Sequence, residues 1–291
     1  MHHVSVLIQS DTVVSAVARE LRVAIDELFP ESIGDREPDG PVDIAAALPP
    51  DFSAEARSVR SRVEGYIRTL DLGALMTVAE AERLVLDVRR RPGDFVIEGD
   101  VLIRVWPAAR VDEEIEARLL RVFVMGSLRT TEQDAAFAVD QLVEVALRAL
   151  SPGINDPFTA IACIDRLRGG LARLVERRLP SPLRRDRAGM VRMVARPRTL
   201  AGLLGQAFHP IRPSAASQAM VVVRMLDALE ALAVRARRAA DREAIGAHVD
   251  LLVEAAGEAL TSAHDRDRVT ASAERVRAAL AGEPVEPGWD D

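Results

Sequence analysis

The sequence predicts an α+β fold, mostly α, in which a small β-barrel or barrel-sandwich module is followed by a helical domain. Three observations predict it. Residues 61–107 set short β-branched runs around two Gly-Asp turns, Gly93-Asp94 and Gly99-Asp100. From Asp112 almost to the end, apolar residues recur at helical spacing. The length, 291 residues, suits about two domains.

Taken in order, residues 1–60 read as an N-terminal helix and a Pro-rich linker. Ser10 or Asp11 can cap a helix running to about Leu28, with Val13, Val17, Leu21, Ala24 and Leu28 as its stripe and Pro30 beyond it. The opening His2-His3-Val4-Ser5-Val6-Leu7-Ile8 nevertheless has the character of a helix interior. Residues 30–53 hold five of the 16 prolines, with a short helix expected at 42–48. The β module spans 61–107. It comprises a strand at 64–70, a helix at 72–82 and a strand at 83–89 with Leu84, Leu86 and Val88 on one face. A turn at 91–94, a strand at 95–97, a turn at 98–100 and a strand at 101–106 complete it. Leu84, Leu86, Val96, Val101 and Ile103 are its expected core.

The helical domain, 108–281, should hold helices near 112–125, 131–150, 157–178, 199–208, 214–239, 242–262 and 266–280. A hairpin across Asp186–Gly189 joins 183–186 to 190–195, and the tail 282–291 should be frayed. The helix at 214–239 is apolar around much of its circumference. That fits either a core helix within one chain or a face left for a second copy.

Composition excludes several chemistries. There is no lysine, so Schiff bases, pyridoxal attachment, a P-loop lysine and lipoyl or biotinyl arms are ruled out. The last matters because the 92–102 turns are similar to those of biotinyl and lipoyl domains. A single cysteine, Cys163, excludes an internal disulfide and a cysteine-built zinc site. No two of the five histidines are spaced as helical ligand pairs, so neither a metal nor another cofactor is expected. No catalytic residue is assigned. A net charge of −7 argues against nucleic acid as a partner. The longest stretch without a charge, 199–211, has 13 residues against the roughly 20 needed to span a bilayer, so no transmembrane helix is expected.

Two segments stand out. The first is the polar region 126–160. Arg129, Thr130, Gln133 and Asp134 precede one helix, and Ser151, Asn155, Asp156 and Thr159 lie between it and the next. A structural reading gives Thr130 and Gln133 a capping box, Gly153 a left-handed C-cap and Asp156 an N-cap followed by Pro157. A ligand reading makes the eight residues a pocket for an anion at two helix N-termini. The second is the stretch 177–198, with eight arginines against one acid, Asp186. Arg184, Arg185, Arg187 and Arg192 are its candidates for contact with an anionic membrane surface, the alternative being ion pairs within the chain.

Several motifs together resemble one family. They are Gly65-Tyr66-Ile67 with Asp71, Arg91-Pro92-Gly93-Asp94-Phe95-Val96 with Gly99, Arg129-Thr130 with Gln133-Asp134, and the long run Ala149-Leu150-Ser151-Pro152-Gly153-Ile154-Asn155-Asp156-Pro157-Phe158-Thr159-Ala160. These resemble the predicted bacterial membrane proteins grouped as the domain of unknown function 2254, from the first residues to about residue 240. The resemblance implies transmembrane helices in an N-terminal part and a large soluble region after them, with His2-His3-Val4 similar to the point just past the last span. On that reading the chain is the soluble part, at the cytoplasmic face of a bacterial inner membrane. Its own transmembrane region would be one partner and a second copy another. The role is assembly, sensing or gating; the alternative is an enzyme or anion-binding protein using 126–160. The family implies no activity, so no catalytic residue is carried over.

Overall fold

The structure is a computed structural model, and it describes residues 2–29 and 42–283. The linker residues 30–41 and the tail residues 284–291 lie outside the described residues. The chain begins with helices α1 (His2–Leu28), α2 (Ile44–Ala47) and α3 (Phe52–Glu55). Strands β1 (Arg57–Arg60) and β2 (Gly65–Leu70), helix α4 (Leu72–Ala81) and strands β3 (Val85–Val88), β4 (Phe95–Val96) and β5 (Val101–Trp106) follow. Next come α5 (Glu113–Arg121), β6 (Phe123–Gly126), α6 (Ala135–Ala149) and α7 (Pro157–Glu176). The hairpin strands are β7 (Leu183–Arg185) and β8 (Val191–Ala195). Helices α8 (Leu200–Ala215), α9 (Ala219–Ala233), α10 (Ala239–Ala259) and α11 (Ala263–Ala281) complete the chain. The fold is α+β and mostly α.

The chain divides into two compact units, one of residues 31–137 and 178–197, the other of 1–30, 138–177 and 198–291. The β unit thus draws on more chain than 61–107. It holds a five-stranded sheet of order β1-β5-β3-β8-β7 and a three-stranded sheet of order β4-β2-β6. The only parallel pairing between the described strands is β3 with β8; the others are antiparallel. These are open sheets, not a closed barrel. The five-stranded sheet ends on β1 and β7, and the two-residue β4 is too short to bridge between sheets.

The hairpin at 183–195 forms as the turn residues require. Asp186 accepts from the backbone N–H groups of Ala188 and Met190, both at 2.9 Å, and Gly189 takes φ +80°. Its sheet partner, β3, lies about a hundred positions earlier. Because β3 is flanked by β5 and β8, all four of its residues are buried, Asp87 included. Leu84, Leu86, Val96 and Ile103 enter the core as expected, whereas Val101 is only half-buried and its neighbour Leu102 is buried. Two strands are additional to the sequence reading. β1 is a polar edge strand, and β6 takes residues expected at the end of a helix, α5 stopping at Arg121.

In the helical unit α9 is central and packs against α7, α8, α10 and α11. Val221, Val222, Met225, Leu226, Leu229 and Leu232 are all buried inside this unit, which accounts for its apolar circumference. α1 packs on α7 at Gly170, where a Cβ would stand 2.5 Å from Leu21 Cδ2. α1 starts at His2, not at Ser10 or Asp11; no glycine or proline interrupts 2–28, so nothing stops the helix propagating upstream. α8 likewise continues through Pro210 and Pro213 to Ala215, where the sequence reading ended it near 208. α9 accordingly begins later than expected, at Ala219.

Candidate functional site

The polar segment 126–134 packs onto the turn between β3 and β4. Arg129 donates from Nε (3.0 Å) and Nη2 (2.6 Å) to Asp134 Oδ2, and its guanidinium stands over the Phe137 ring at 5.0 Å. Asp134 is 1% exposed. A carboxylate this deep requires a charged partner, and a delocalised guanidinium stacked on an aromatic face is the least strongly hydrated choice. Its other neighbour is Gly93. With φ +92° this position favours glycine, and a Cβ there would collide with the Asp134 carboxylate. The turn is fixed further by Gly93 N donating to Ile67 O (2.8 Å) and Ile67 N donating to Asp94 O (3.0 Å).

Gln133 does not complete a capping box with Thr130. Its Oε1 accepts from Leu70 N (2.9 Å), satisfying the end of β2, while Thr130 Oγ1 is buried without a hydrogen-bond partner among the described residues. The Arg-Pro-Gly-Asp and Arg-Thr…Gln-Asp motifs, far apart in sequence, are therefore two halves of one contact.

At the other end of α6 the residues serve helix ends. Asp156 Oδ1 accepts from Phe158 N and Thr159 N, both at 3.1 Å, and its Oδ2 accepts from the Thr159 hydroxyl (2.6 Å). Ser151 donates its hydroxyl to Arg148 O (2.7 Å). The left-handed residue is Asn155 (φ +47°), not Gly153, and its side-chain carbonyl accepts from Gln218 Nε2 at 3.4 Å. Arg129, Thr130, Gln133 and Asp134 belong to the β unit, and Ser151, Asn155, Asp156 and Thr159 to the helical unit.

The arginines of the hairpin are largely engaged by it. Arg184 donates to Ser181 O (2.6 Å), Arg185 to Gly189 O (2.8 Å) and Arg192 to Asp186 Oδ2 (2.8 Å). The Arg192 contact holds the Asp186 carboxyl below its ordinary range. Arg187 is exposed at the tip, beside the exposed Met190. Arg196 pairs with Asp87 (2.7 Å), which also accepts from Arg89 (3.0 Å). Asp87 was not singled out from the sequence, although an acid inside the apolar run Leu84–Val88 was the available signal.

His209 and His248 come together from α8 and α10, their ring centroids 4.7 Å apart. Burial pushes the His248 imidazole down to about 4, and His209 and Arg212 add to the effect. At positions 39 apart, these histidines are related by no spacing rule. Among the described residues no group of three or more His, Cys, Asp or Glu could hold a metal ion.

The family model described as "Predicted membrane protein (DUF2254)" matches residues 1–231. The chain belongs to this family. It is also similar to uncharacterized proteins of Mycobacterium bovis and of Mycobacterium tuberculosis strain H37Rv, each 31% identical over 281 residues. Those alignments cover 95% of this chain and 52% of each relative, so the chain spans about half the length of the curated relatives it matches. No solved structure matches it. Among the described residues, no helix of this DUF2254 member is long and apolar enough to cross a membrane.

Proposed function

We propose that the chain is a water-exposed part, at the cytoplasmic face of a bacterial inner membrane, of a membrane protein whose spanning helices lie in the remaining length of its relatives, and that it serves assembly, sensing or gating. One observation carries this reading: a chain belonging to a family of predicted membrane proteins has no spanning helix among its described residues, yet covers only half of its relatives. The segment 126–160 supports a structural role over a catalytic one. Gln133 and Asp156 accept from backbone N–H groups, and Arg129 and Thr159 donate to the Asp134 and Asp156 carboxylates, so all five bind their own chain. Arg187 and Met190, exposed at the tip of the basic hairpin, are the residues that support contact with anionic headgroups.

The test is paired reporter fusion to the full-length mycobacterial relative, at the end of the region matching this chain. The reading predicts a fluorescent cytoplasmic reporter and an inactive periplasmic phosphatase. An active phosphatase with a dark fluorescent reporter contradicts it.

A further inference from the structure

In the helical unit, residues of α7 and α9, with Arg235 just past α9, line an open cleft of about 400 Å³. Three of its lining residues have little side chain, Gly169 and Ala172 from α7 and Ala231 from α9. Its charged lining is three arginines, Arg168, Arg224 and Arg235, against one carboxylate, Asp165. Arg168 and Arg224 are weakly committed, whereas Arg235 is held in place. Arg224 stands 3.7 Å from Asp165, beyond good hydrogen-bond range. Arg235 reaches Glu176 at 3.2 Å and donates to Ala231 O, and Glu176 is itself largely exposed. Arg168 makes no ion pair or hydrogen bond among the described residues and acts on Asp227 only at a distance. Of the other nearby acids, Glu230 is engaged by Arg275 of α11, and Asp227 by Arg275 while it also feels Arg224 and Arg168.

Like charges lining one groove repel, and a bound counter-ion relieves the repulsion. Each guanidinium is a planar fork that matches two oxygens of a tetrahedral oxyanion. Arg168 and Arg224, which lack close partners, with Arg235 beside them, offer several N–H donors to a group with several oxygens, as a phosphoryl group has. The volume lies at the lower end of small-ligand sites, roughly 300–1,000 Å³. We infer that the α7–α9 cleft binds a phosphoryl group, held by Arg168, Arg224 and Arg235. The phosphoryl group belongs either to a small soluble phosphate compound or to a lipid headgroup. This inference is independent of which side of a membrane the chain occupies.

Titration calorimetry of the purified chain with sodium pyrophosphate tests it. Binding of one pyrophosphate per chain is expected, weakened about tenfold by Arg168→Ala and further by Arg168→Ala with Arg224→Ala, as charge-assisted hydrogen bonds are lost. Ala172→Glu, which leaves the arginines in place but puts a carboxylate in the groove, should also weaken binding, and Arg277→Ala, at an exposed ion pair with Asp250 on α11, should not. Melting curves confirm that each variant is folded. Co-sedimentation with phosphatidylglycerol and phosphatidylcholine vesicles separates the sources. Sedimentation with the anionic vesicles only, lost in Arg168→Ala and displaced by pyrophosphate, assigns the site to a headgroup; pyrophosphate binding without it assigns a soluble compound. The inference is overturned if pyrophosphate does not bind, if binding is indifferent to Arg168, Arg224 and Ala172, or if Arg277→Ala weakens it equally.

Discussion

At Asp134 a carboxylate 1% exposed is held by the Arg129 guanidinium and pressed against Gly93. Removing one partner of a buried pair strands the other, which costs about 3–5 kcal/mol. Asp134→Ala should therefore lower stability by that order in urea denaturation, and Gly93→Ala should also be strongly destabilising. A loss under about 1 kcal/mol for Asp134→Ala, the size of an exposed pair, would show that the contact does not hold the β3–β4 turn. His248 gives a prediction of pH dependence. Its folded pKa of about 4 lies below the 6.5 of the unfolded chain, so on acidification the unfolded state takes up the proton first. This group's contribution is complete above pH 6.5 and is lost between 6.5 and about 4, by on the order of 3 kcal/mol. Asp227 and Asp241, raised by burial, act in the opposite sense. Comparison with His248→Gln isolates the histidine: the variant's stability should fall less across that window, and parallel profiles would sink the assignment. At this scale the sequence showed which residues were unusual but not their partners. Gln133 looked like a capping residue because the Leu70 N–H it serves is 63 positions away.

The hairpin β7–β8 shows the same limit one level up. Its turn chemistry is local and legible in Asp186 and Gly189, whereas its parallel pairing with β3 depends on chain distant in sequence. Periodicity placed α6, α7, α10 and α11 within a few residues, because each carries a one-sided apolar stripe or a clear start. It missed β1, a four-residue polar edge strand, and ended α8 near 208, although the helix runs on through Pro210 with Phe208 and Ile211 buried on either side of it. The sheet order makes a prediction by hydrogen exchange. Amides of β8, paired on both sides, should exchange as slowly as those of β3 and more slowly than those of the edge strand β7. Exchange in β8 at the rate of the 186–189 turn would remove the hairpin from the sheet.

For the whole molecule, the sequence conveyed fold class and family, and the structure revised the partition. The β unit takes in 178–197, so an excision at 108 would separate β8 from its partner β3. A fragment of residues 61–107 alone should lack a cooperative melting transition, since the sheet then loses β1, β7 and β8; a sharp, reversible melt would contradict that. The apolar circumference of α9 is satisfied within its own unit, so it offers no argument for a second copy. The central claim is that this chain is a part, outside the bilayer, of a membrane protein. Its most direct test is fractionation after expression in a bacterial host, comparing this chain alone with the full-length mycobacterial relative. The chain alone should be recovered folded from the high-speed supernatant, and the full-length relative from the carbonate-washed membrane pellet. Recovery of the chain in that pellet, or of the relative in the supernatant, would contradict the account.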